Sequence, residues 1–267
     1  MFKGRYGRRV AAAAALALAT FAMVPNAMAD AWDTIQKGGA IRVAIDPAAP
    51  PYSSLDAQGG YAGSEVEVAK RLASDLGVKL AIVPTAPANR IPYLITGQAD
   101  VVISTLSITD ERRQVIDFSR PYSGIQIVVG APKEAGVASL VDLVGKRVAV
   151  TRGSTNDAEI TKNAVAGTNI VRFEDDATSI TAVLSGQADA YVTAPALLAT
   201  VRQRNPNLDM VSAVVLKTNV TGIGVRKGED RLLAKVDEWV AARLADGTLD
   251  AIYRDAFGEP LPAEVSR

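Results

Sequence analysis

One short sequence occurs twice in this chain in the same context, and this repeat constrains the fold more than any other feature. Residues 93–105 read YLITGQADVVIST and residues 182–194 read AVLSGQADAYVTA, so the tetrapeptide Gly-Gln-Ala-Asp appears at two positions 89 residues apart. In each copy a helix-like segment precedes the tetrapeptide, and an apolar run with a hydroxyl residue near its end follows it. The match on both sides predicts two halves built from the same structural unit.

The remaining sequence predicts that both halves are α/β. Short β-branched runs alternate with amphipathic stretches, which is typical of strand–helix–strand units around a mostly parallel sheet. The predicted strands are residues 41–45, 80–83, 101–103, 148–150, 170–173 and 190–192, and the predicted helices are residues 65–76, 91–96 and 237–249. Residues 124–131 and 218–224 connect the halves as strand-like crossovers that can act as hinges. Two such lobes enclose a cleft that is lined at the carboxyl ends of strands.

The composition excludes most catalytic chemistry. The 267 residues contain neither cysteine nor histidine. This rules out disulfides, thiolate nucleophiles, histidine-based triads and metal sites built on these two residue types. Only carboxylate, lysine or tyrosine chemistry remains, and we predict no metal and no cofactor.

Residues 1–29 have the features of a signal peptide. Four basic residues precede an apolar run over residues 10–24, and the segment ends in Ala27-Met28-Ala29. The apolar run is shorter than the ~20 residues that span a bilayer, so we predict cleavage after Ala29 rather than a membrane anchor. Cleavage removes four of the 29 basic residues, which leaves 25 against 29 acidic residues and a net charge of −4. We expect an exported, periplasmic protein without a nucleic-acid partner.

Polar residues after the third strand predict a carboxylate-binding site. Ser104, Thr105 and Ser107 follow that strand directly, and Arg112 comes next. An arginine offers two parallel donors to a carboxylate, while hydroxyl and backbone N–H groups bind its remaining lone pairs. Residues 107–113 are also predicted to begin a helix, whose N-terminus favours an anion. The alternative is an ordinary helix cap, with Arg112 or Arg113 in a surface ion pair.

The second half contains a corresponding loop at residues 151–157. Gly153 permits a tight turn between strand and helix, and the N–H groups of Ser154 and Thr155 can point at a ligand oxygen. The loop lacks the Gly-Lys-Ser/Thr ending of a nucleotide-binding loop. Taken alone, the loop is a weak signal and a capped helix start is its default interpretation; the two loops together support a binding site more strongly than either does.

The chain resembles a type II periplasmic solute-binding protein of the amino-acid class (family 3), which is the receptor of an ABC importer. The resemblance covers residues 41–257 and rests on the order and spacing of segments 46–52, 89–94, 104–119, 142–155 and 245–249. It implies two lobes, each a mostly parallel sheet flanked by helices, joined by two crossover hinge strands. Lobe 1 would comprise residues 38–124 and 223–267, and lobe 2 residues 125–222. It also implies closure on a small-molecule ligand, a membrane permease as partner, and a monomer.

The resemblance assigns roles to individual residues. Arg112 matches the arginine that binds the α-carboxylate of the ligand, and Arg90 matches a position that reaches the ligand side chain in some members. An alternative for Arg90 is that it covers the rim of the cleft. The other positions that match ligand contacts are Ser104, Thr105 and Ser107 in lobe 1 and Thr151, Ser154 and Thr155 in lobe 2, and Thr193 near the end of the second repeat is added to them.

Two positions depart from the family pattern. Ala49 stands where an aromatic residue usually lines the pocket, and Tyr52 either replaces it or packs in the core. Ala194 stands where an aspartate usually binds the α-ammonium group, and losing that bond would cost ~1.5–3 kcal/mol. Either Asp46 or Asp176 replaces it, or the ligand has no α-amino group. Asp175, beside Asp176, is expected in a solvated turn.

These observations predict a transport receptor for a polar amino acid or a related small carboxylate, and not an enzyme. The alternative is an enzyme like the periplasmic cyclohexadienyl dehydratases, which resemble the same family. Such an enzyme needs an acid–base carboxylate, for which Asp157 or Asp176 is available, but the sequence reveals no arrangement that would raise a pKa. A third possibility is a signalling receptor that serves no importer.

Overall fold

The computed structural model describes residues 30–266, so the predicted signal peptide and its cleavage site lie outside the described residues. The α-helices are α1 (Ala31–Gly38), α2 (Ser64–Asp75), α3 (Arg90–Ile95), α4 (Asp110–Arg113), α5 (Thr155–Asn163), α6 (Asp176–Leu184), α7 (Pro195–Arg204), α8 (Asp230–Ala245) and α9 (Thr248–Phe257). The strands are β1 (Ala40–Ile45), β2 (Ala48–Ala49), β3 (Ser53–Leu55), β4 (Tyr61–Ala62), β5 (Lys79–Pro84), β6 (Val101–Val102), β7 (Ile116–Pro132), β8 (Arg147–Thr151), β9 (Asn169–Phe173), β10 (Ala190–Thr193) and β11 (Met210–Arg226). None of the helices in this part of the chain is both long and apolar enough to cross a membrane.

Eight strands form one sheet in the order β5-β1-β6-β11-β7-β10-β8-β9. β1 is parallel to β5 and β6 at one end, and β8 is parallel to β9 and β10 at the other. Between them β7 and β11, each 17 residues long, pair in antiparallel fashion and contain the two predicted crossovers. The prediction of an α/β fold with strand-like crossovers is therefore confirmed.

Each end of the sheet has its own hydrophobic cores. We use lobe 1 for the end with β1, β5 and β6 and lobe 2 for the end with β8, β9 and β10; the exact boundaries at residues 124/125 and 222/223 stay a prediction. In lobe 1, α2 buries Val66, Ala69 and Leu72 at the predicted helical spacing against β1 and α8. In lobe 2, α6 packs on β8 and β10 and α7 packs on β7 and β11, around buried residues that include Ile180 and Leu198.

The two copies of the repeated tetrapeptide fold alike, as the sequence predicts. Its glycine has a φ of +71° in both copies, which ends the preceding helix in the left-handed conformation. Its aspartate accepts the backbone N–H and the guanidinium of an arginine at the start of the neighbouring strand, Arg42 with Asp100 and Arg147 with Asp189. The same arginine also donates to the carbonyl of that glycine.

The single helix predicted over residues 237–249 is wrong in its extent. α8 ends at Ala245, Gly247 adopts a φ of +79°, and α9 begins at Thr248. A left-handed glycine stops the helix and changes its direction, although the apolar spacing continues across the break.

Candidate functional site

The polar loops of the two lobes meet at the carboxyl ends of their strands. The Oγ of Ser107 in lobe 1 lies 3.1 Å from the Oγ1 of Thr155 in lobe 2. Gly153 lies so close to Ala88 that a Cβ at Gly153 would be 2.8 Å from the Ala88 Cα, and its φ of +70° also favours glycine. The lobes are therefore in direct contact across the cleft.

Arg112 bridges this contact. Its guanidinium donates to the carbonyl of Ser107 at 3.0 Å and, more weakly, to the carbonyl of Gly153 at 3.4 Å. Within residues 30–266 it forms no ion pair with a carboxylate, so the surface ion pair considered for Arg112 is wrong. Burial, together with the nearby positive charge of Arg90, lowers the pKa of Arg112 to about 9.

The helix around Arg112 begins later than predicted. α4 starts at Asp110 and makes a single turn, in which the Oγ1 of Thr109 accepts the N–H of Arg112 at 3.2 Å. Ser107 instead forms a bridge with Thr221 of β11. The helix start therefore lies within the predicted residues 107–113, but at Asp110, because strand pairing extends the backbone at Ser107.

Arg90 is buried beneath the loops, which excludes a role at the rim of the cleft. It is 3% exposed and donates to the carbonyls of Pro87 at 3.1 Å and Ser104 at 2.6 Å. Burial lowers the pKa of Arg90, while the negative charges of Asp46, Asp176 and Glu65 oppose that effect. Its positive charge thus acts on several carboxylates without contacting them.

Asp46 directly follows β1 and is 3% exposed. Its Oδ1 accepts the N–H of Ala48 at 2.9 Å, and its own N–H donates to the Oγ of Ser104 at 3.0 Å. Burial raises the pKa of Asp46 to about 6, and the negative charge of Asp176 adds to the rise. Among the described residues Asp46 forms no ion pair.

Asp176 opens α6, and α6 packs against β2 just beyond Asp46. Its Oδ1 accepts hydroxyl hydrogen bonds from Thr151 and Tyr191, both at 2.5 Å. Burial raises the pKa of Asp176, and these two bonds oppose the rise. The structure therefore brings one acid from each lobe to the same region. The sequence revealed no such arrangement, because desolvation depends on the packed fold.

Four further residues considered from the sequence lie at a strand end or at the starts of helices: Thr193, Asp175, Ser154 and Asp157. Thr193 follows Val192 in register beside Thr151, and its buried Oγ1 has no hydrogen-bond partner. Asp175 lies in the partly exposed bend before α6, as predicted, and caps the helix by accepting the N–H of its third residue. Ser154 caps α5, which confirms the capped helix start. The acid that follows this cap, Asp157, pairs with Arg172 at 2.8 Å.

Ala194, and Tyr52 as the candidate replacement for an aromatic residue at position 49, lie in apolar surroundings. Tyr52 is 6% exposed and its ring centroid is 5.0 Å from that of Phe257. This favours the core-packing alternative for Tyr52, and its contact with a ligand stays a prediction. Ala194 is 1% exposed directly before α7, where its methyl group offers no acceptor to an ammonium group.

Glu65 in α2 is a buried acid beside the candidate site that was not predicted from the sequence; it is 3% exposed. It accepts the N–H of Thr105 at 3.2 Å and the hydroxyl of Tyr122. The signal was present, because residues 65, 69, 72 and 76 lie on one face of the helix and only the first is charged. In residues 30–266 no group of three or more acidic side chains is arranged to hold a metal ion.

Over residues 41–259 the chain matches the family described as bacterial extracellular solute-binding proteins, family 3. It belongs to this family. The L-cystine-binding protein TcyJ of Escherichia coli (strain K12) is 34% identical over 227 residues, which are 84% of this chain and 85% of TcyJ. A mutant of ArgBP from T. maritima has a solved structure with a TM-score of 0.79 and 34% identity, covering 86% of this chain and 100% of that one.

These similarities confirm that the family 3 chain has the predicted type II periplasmic binding protein fold. One relative is an enzyme: cyclohexadienyl dehydratase of Pseudomonas aeruginosa is 33% identical over 185 residues, 66% of this chain and 69% of that protein. Family membership therefore establishes a solute-binding scaffold.

The buried acids predict that the ligand-free protein becomes more stable as the pH falls from 7.5 to 5.5. The pKa values of Asp46 and Glu65 are raised to about 6 and about 7, so the folded state holds protons that the unfolded chain has released. Stability then increases on acidification through this window, by on the order of 2 kcal/mol. Acids with lowered pKa, such as Asp189, act in the opposite direction at lower pH.

Urea unfolding at the two pH values measures this difference. Asp46→Asn and Glu65→Gln should each reduce it, and Asp142→Asn, at an exposed acid, should not. A free energy of unfolding that is constant or decreases on acidification would show that these carboxylates are not desolvated in the folded protein.

Proposed function

We propose that the chain is the receptor of an ABC importer and captures a polar amino acid, or a closely related small carboxylate, between its lobes. The observation that carries the proposal is Arg112, a largely buried cation that touches both lobes and has no carboxylate partner among residues 30–266. A desolvated cation favours an anion strongly, and the anion of an amino acid is its α-carboxylate.

The groups around Arg112 suit a carboxylate. Ser107 and Thr155 place hydroxyl groups from opposite lobes 3.1 Å apart beside it. Thr155 also begins α5, a helix of nine residues whose first N–H groups and dipole favour negative charge. A carboxylate held here contacts both lobes at once, so its binding stabilises their closed arrangement.

We assign the opposite end of the ligand, the ammonium group, to Asp46 and Asp176. They come from different lobes and have no ion-pair partner among the described residues, and the negative charge of Asp176 raises the pKa of Asp46. An ammonium group between them removes that repulsion and forms charge-assisted hydrogen bonds. These two acids thereby take the role that Ala194 cannot perform.

The ligand's side chain is polar in this proposal. Thr193, Asn219 and Thr221 each have a buried side-chain atom without a hydrogen-bond partner in the protein, and the latter two belong to β11, one of the crossover strands. Buried polar groups of this kind require a partner, either water or a polar ligand. Native mass spectrometry of the purified protein, followed by calorimetry against amino acids, identifies the ligand.

Arg112→Ala should reduce the affinity for amino acids by about 10- to 100-fold, because a charge-assisted bond to the carboxylate is lost. Arg112→Lys should recover part of the affinity, since one charge remains without the planar pair of donors. The control is Arg113→Ala at the neighbouring exposed arginine, which lies over the ring of Phe118 and should bind normally. Equal affinities of Arg112→Ala and the wild type in calorimetry would refute the carboxylate site.

Asp176→Asn should weaken the binding of an amino acid by about 10- to 100-fold. It should leave unchanged the affinity for the deaminated analogue, in which hydrogen replaces the α-amino group. Asp46→Asn should behave similarly. Asp175→Asn is the matched control, since asparagine caps a helix as well as aspartate does. If the wild type binds analogue and amino acid equally tightly, neither acid binds an ammonium group.

A second candidate function is a dehydratase, favoured by the raised pKa of Asp176, since a raised pKa favours the protonated form that a general acid needs. Asp157 is less suitable because Arg172 neutralises it. Prephenate and arogenate, incubated with the purified protein, distinguish the functions. We expect no release of carbon dioxide and water; turnover that Asp176→Asn abolishes would establish the enzyme.

We further propose that the protein is exported after cleavage following Ala29, acts as a monomer in the periplasm, and delivers its ligand to a membrane permease. The export sequence at residues 1–29 and the membership of an extracellular family support this location.

A further inference from the structure

Glu65 lies beside the proposed ligand site, and none of the roles described so far requires a charge there. It is 3% exposed in the first turn of α2 and forms no ion pair with the described residues. Burying a carboxylate is unfavourable unless its oxygens are well bonded. Its two oxygens have separate partners: one accepts the N–H of Thr105 at 3.2 Å, and the other accepts the hydroxyl of Tyr122.

The first partner belongs to the loop that we assign to the ligand carboxylate. Thr105 has a φ of +46°, a left-handed conformation that is rare for a β-branched residue. It lies between Ser104 and Ser107, so the direction of its peptide sets the course of the loop. The bond from Glu65 holds the N–H of this strained residue, and a strained backbone persists only where its surroundings hold it.

The second partner belongs to a crossover. Tyr122 is 2% exposed on β7, and Gly124, two residues later, pairs with Val220 of β11. The next residue of β11, Thr221, forms the bridge with Ser107. Glu65 therefore connects the loop to the hinge strands from one side, while Thr221 connects it from the other.

We propose that Glu65 is a positioning residue that holds the loop of Ser104–Ser107 in its binding conformation and ties it to the hinge strand β7. This inference rests on the proposed function, because it assigns the loop to the ligand. Glu65 acts through Thr105 and Tyr122 and does not itself contact the ligand.

The charge of Glu65 matters for this role, since a carboxylate accepts both hydrogen bonds but a protonated acid must donate on one side. Burial raises the pKa of Glu65 to about 7, while the hydrogen bonds from Tyr122 and Thr105 and the positive charge of Arg90 on α3 oppose the rise. Tyr52, before β3, is the other titratable group whose pKa Glu65 affects. On protonation the Tyr122 hydroxyl has to turn away, and the Oγ1 of Thr221, which lies beside that hydroxyl, is available as its acceptor.

Hydrogen–deuterium exchange of the ligand-free protein tests the proposal without a ligand. Glu65→Gln resembles the protonated acid, and Glu67→Gln is the matched control at an exposed residue of the same helix. At pH 8 the protection of the Thr105 N–H, corrected for its intrinsic exchange rate, should be about tenfold lower in Glu65→Gln than in the control. From pH 8 to pH 6 it should fall in the wild type and the control and stay constant in Glu65→Gln. Tyr122→Phe, which removes one bond and keeps the ring, should lower it to a smaller extent.

Equal protection of Thr105 in both variants at pH 8 would overturn the proposal. Equal loss of protection throughout α2 and β1 would do the same, since that is general destabilisation.

Binding of L-glutamine, L-arginine and L-cystine is measured in a separate experiment. If the wild type binds one of these amino acids, the affinity for it should fall about tenfold in Glu65→Gln. An unchanged affinity would overturn the role of Glu65 in binding. Failure of the wild type to bind any amino acid contradicts the proposed function, while the exchange data still decide whether Glu65 holds Thr105.

Discussion

The antiparallel pairing of β7 with β11 is the interaction on which both lobes depend. The pair runs from Ile116 opposite Arg226 to Pro132 opposite Met210, and it occupies the centre of the eight-stranded sheet. At one end β11 bonds to β6 of lobe 1, and at the other β7 bonds to β10 of lobe 2. Because these two strands carry the sheet from one lobe to the other, a change in the angle between the lobes has to bend them. Their register shifts around residues 212–217 and 221–224 are places where a strand pair bends more readily.

The cleft above these strands concentrates charge that is buried or half-buried. Arg90 and Arg112 contribute two cations, and Asp46, Glu65 and Asp176 contribute three acids, yet none of the five is in an ion pair with a described residue. Backbone carbonyls bind the cations, and backbone N–H and hydroxyl groups bind the acids. Such groups are expensive to bury, and partners of opposite charge recover part of that cost. In our proposal an amino acid supplies both partners, since its carboxylate faces Arg112 and its ammonium group faces Asp46 and Asp176.

Much of the fold could be predicted from local patterns. The helical spacing of Val66, Ala69 and Leu72 predicted α2, and the repeated tetrapeptide predicted two similar halves, because both signals lie within short segments. Predictions that depended on competition between structures were less accurate. A helix start was expected within residues 107–113, but the bridge from Ser107 to Thr221, far away in the sequence, extends the backbone there and leaves only the single turn of α4. The candidate site residues Ser104 and Thr151 could be placed at strand ends because they follow predicted strands in the sequence. The burial of Arg90 could not be predicted in this way.

The sequence by itself determined the α/β class, the paired lobes, the family and the position of Arg112 after a strand. These follow from periodicity, repeats and residue types, which short-range physics controls. Only the tertiary structure decided which charges are desolvated and which face one another. Asp157 and Asp176 are the same residue type near the starts of neighbouring helices, but the first pairs with Arg172, whereas desolvation raises the pKa of the second. Glu65 likewise became significant through Thr105 and Tyr122, at 40 and 57 residues' distance along the chain. The physical reason is that burial and Coulomb interactions depend on distances in space, and these are set when the lobes pack.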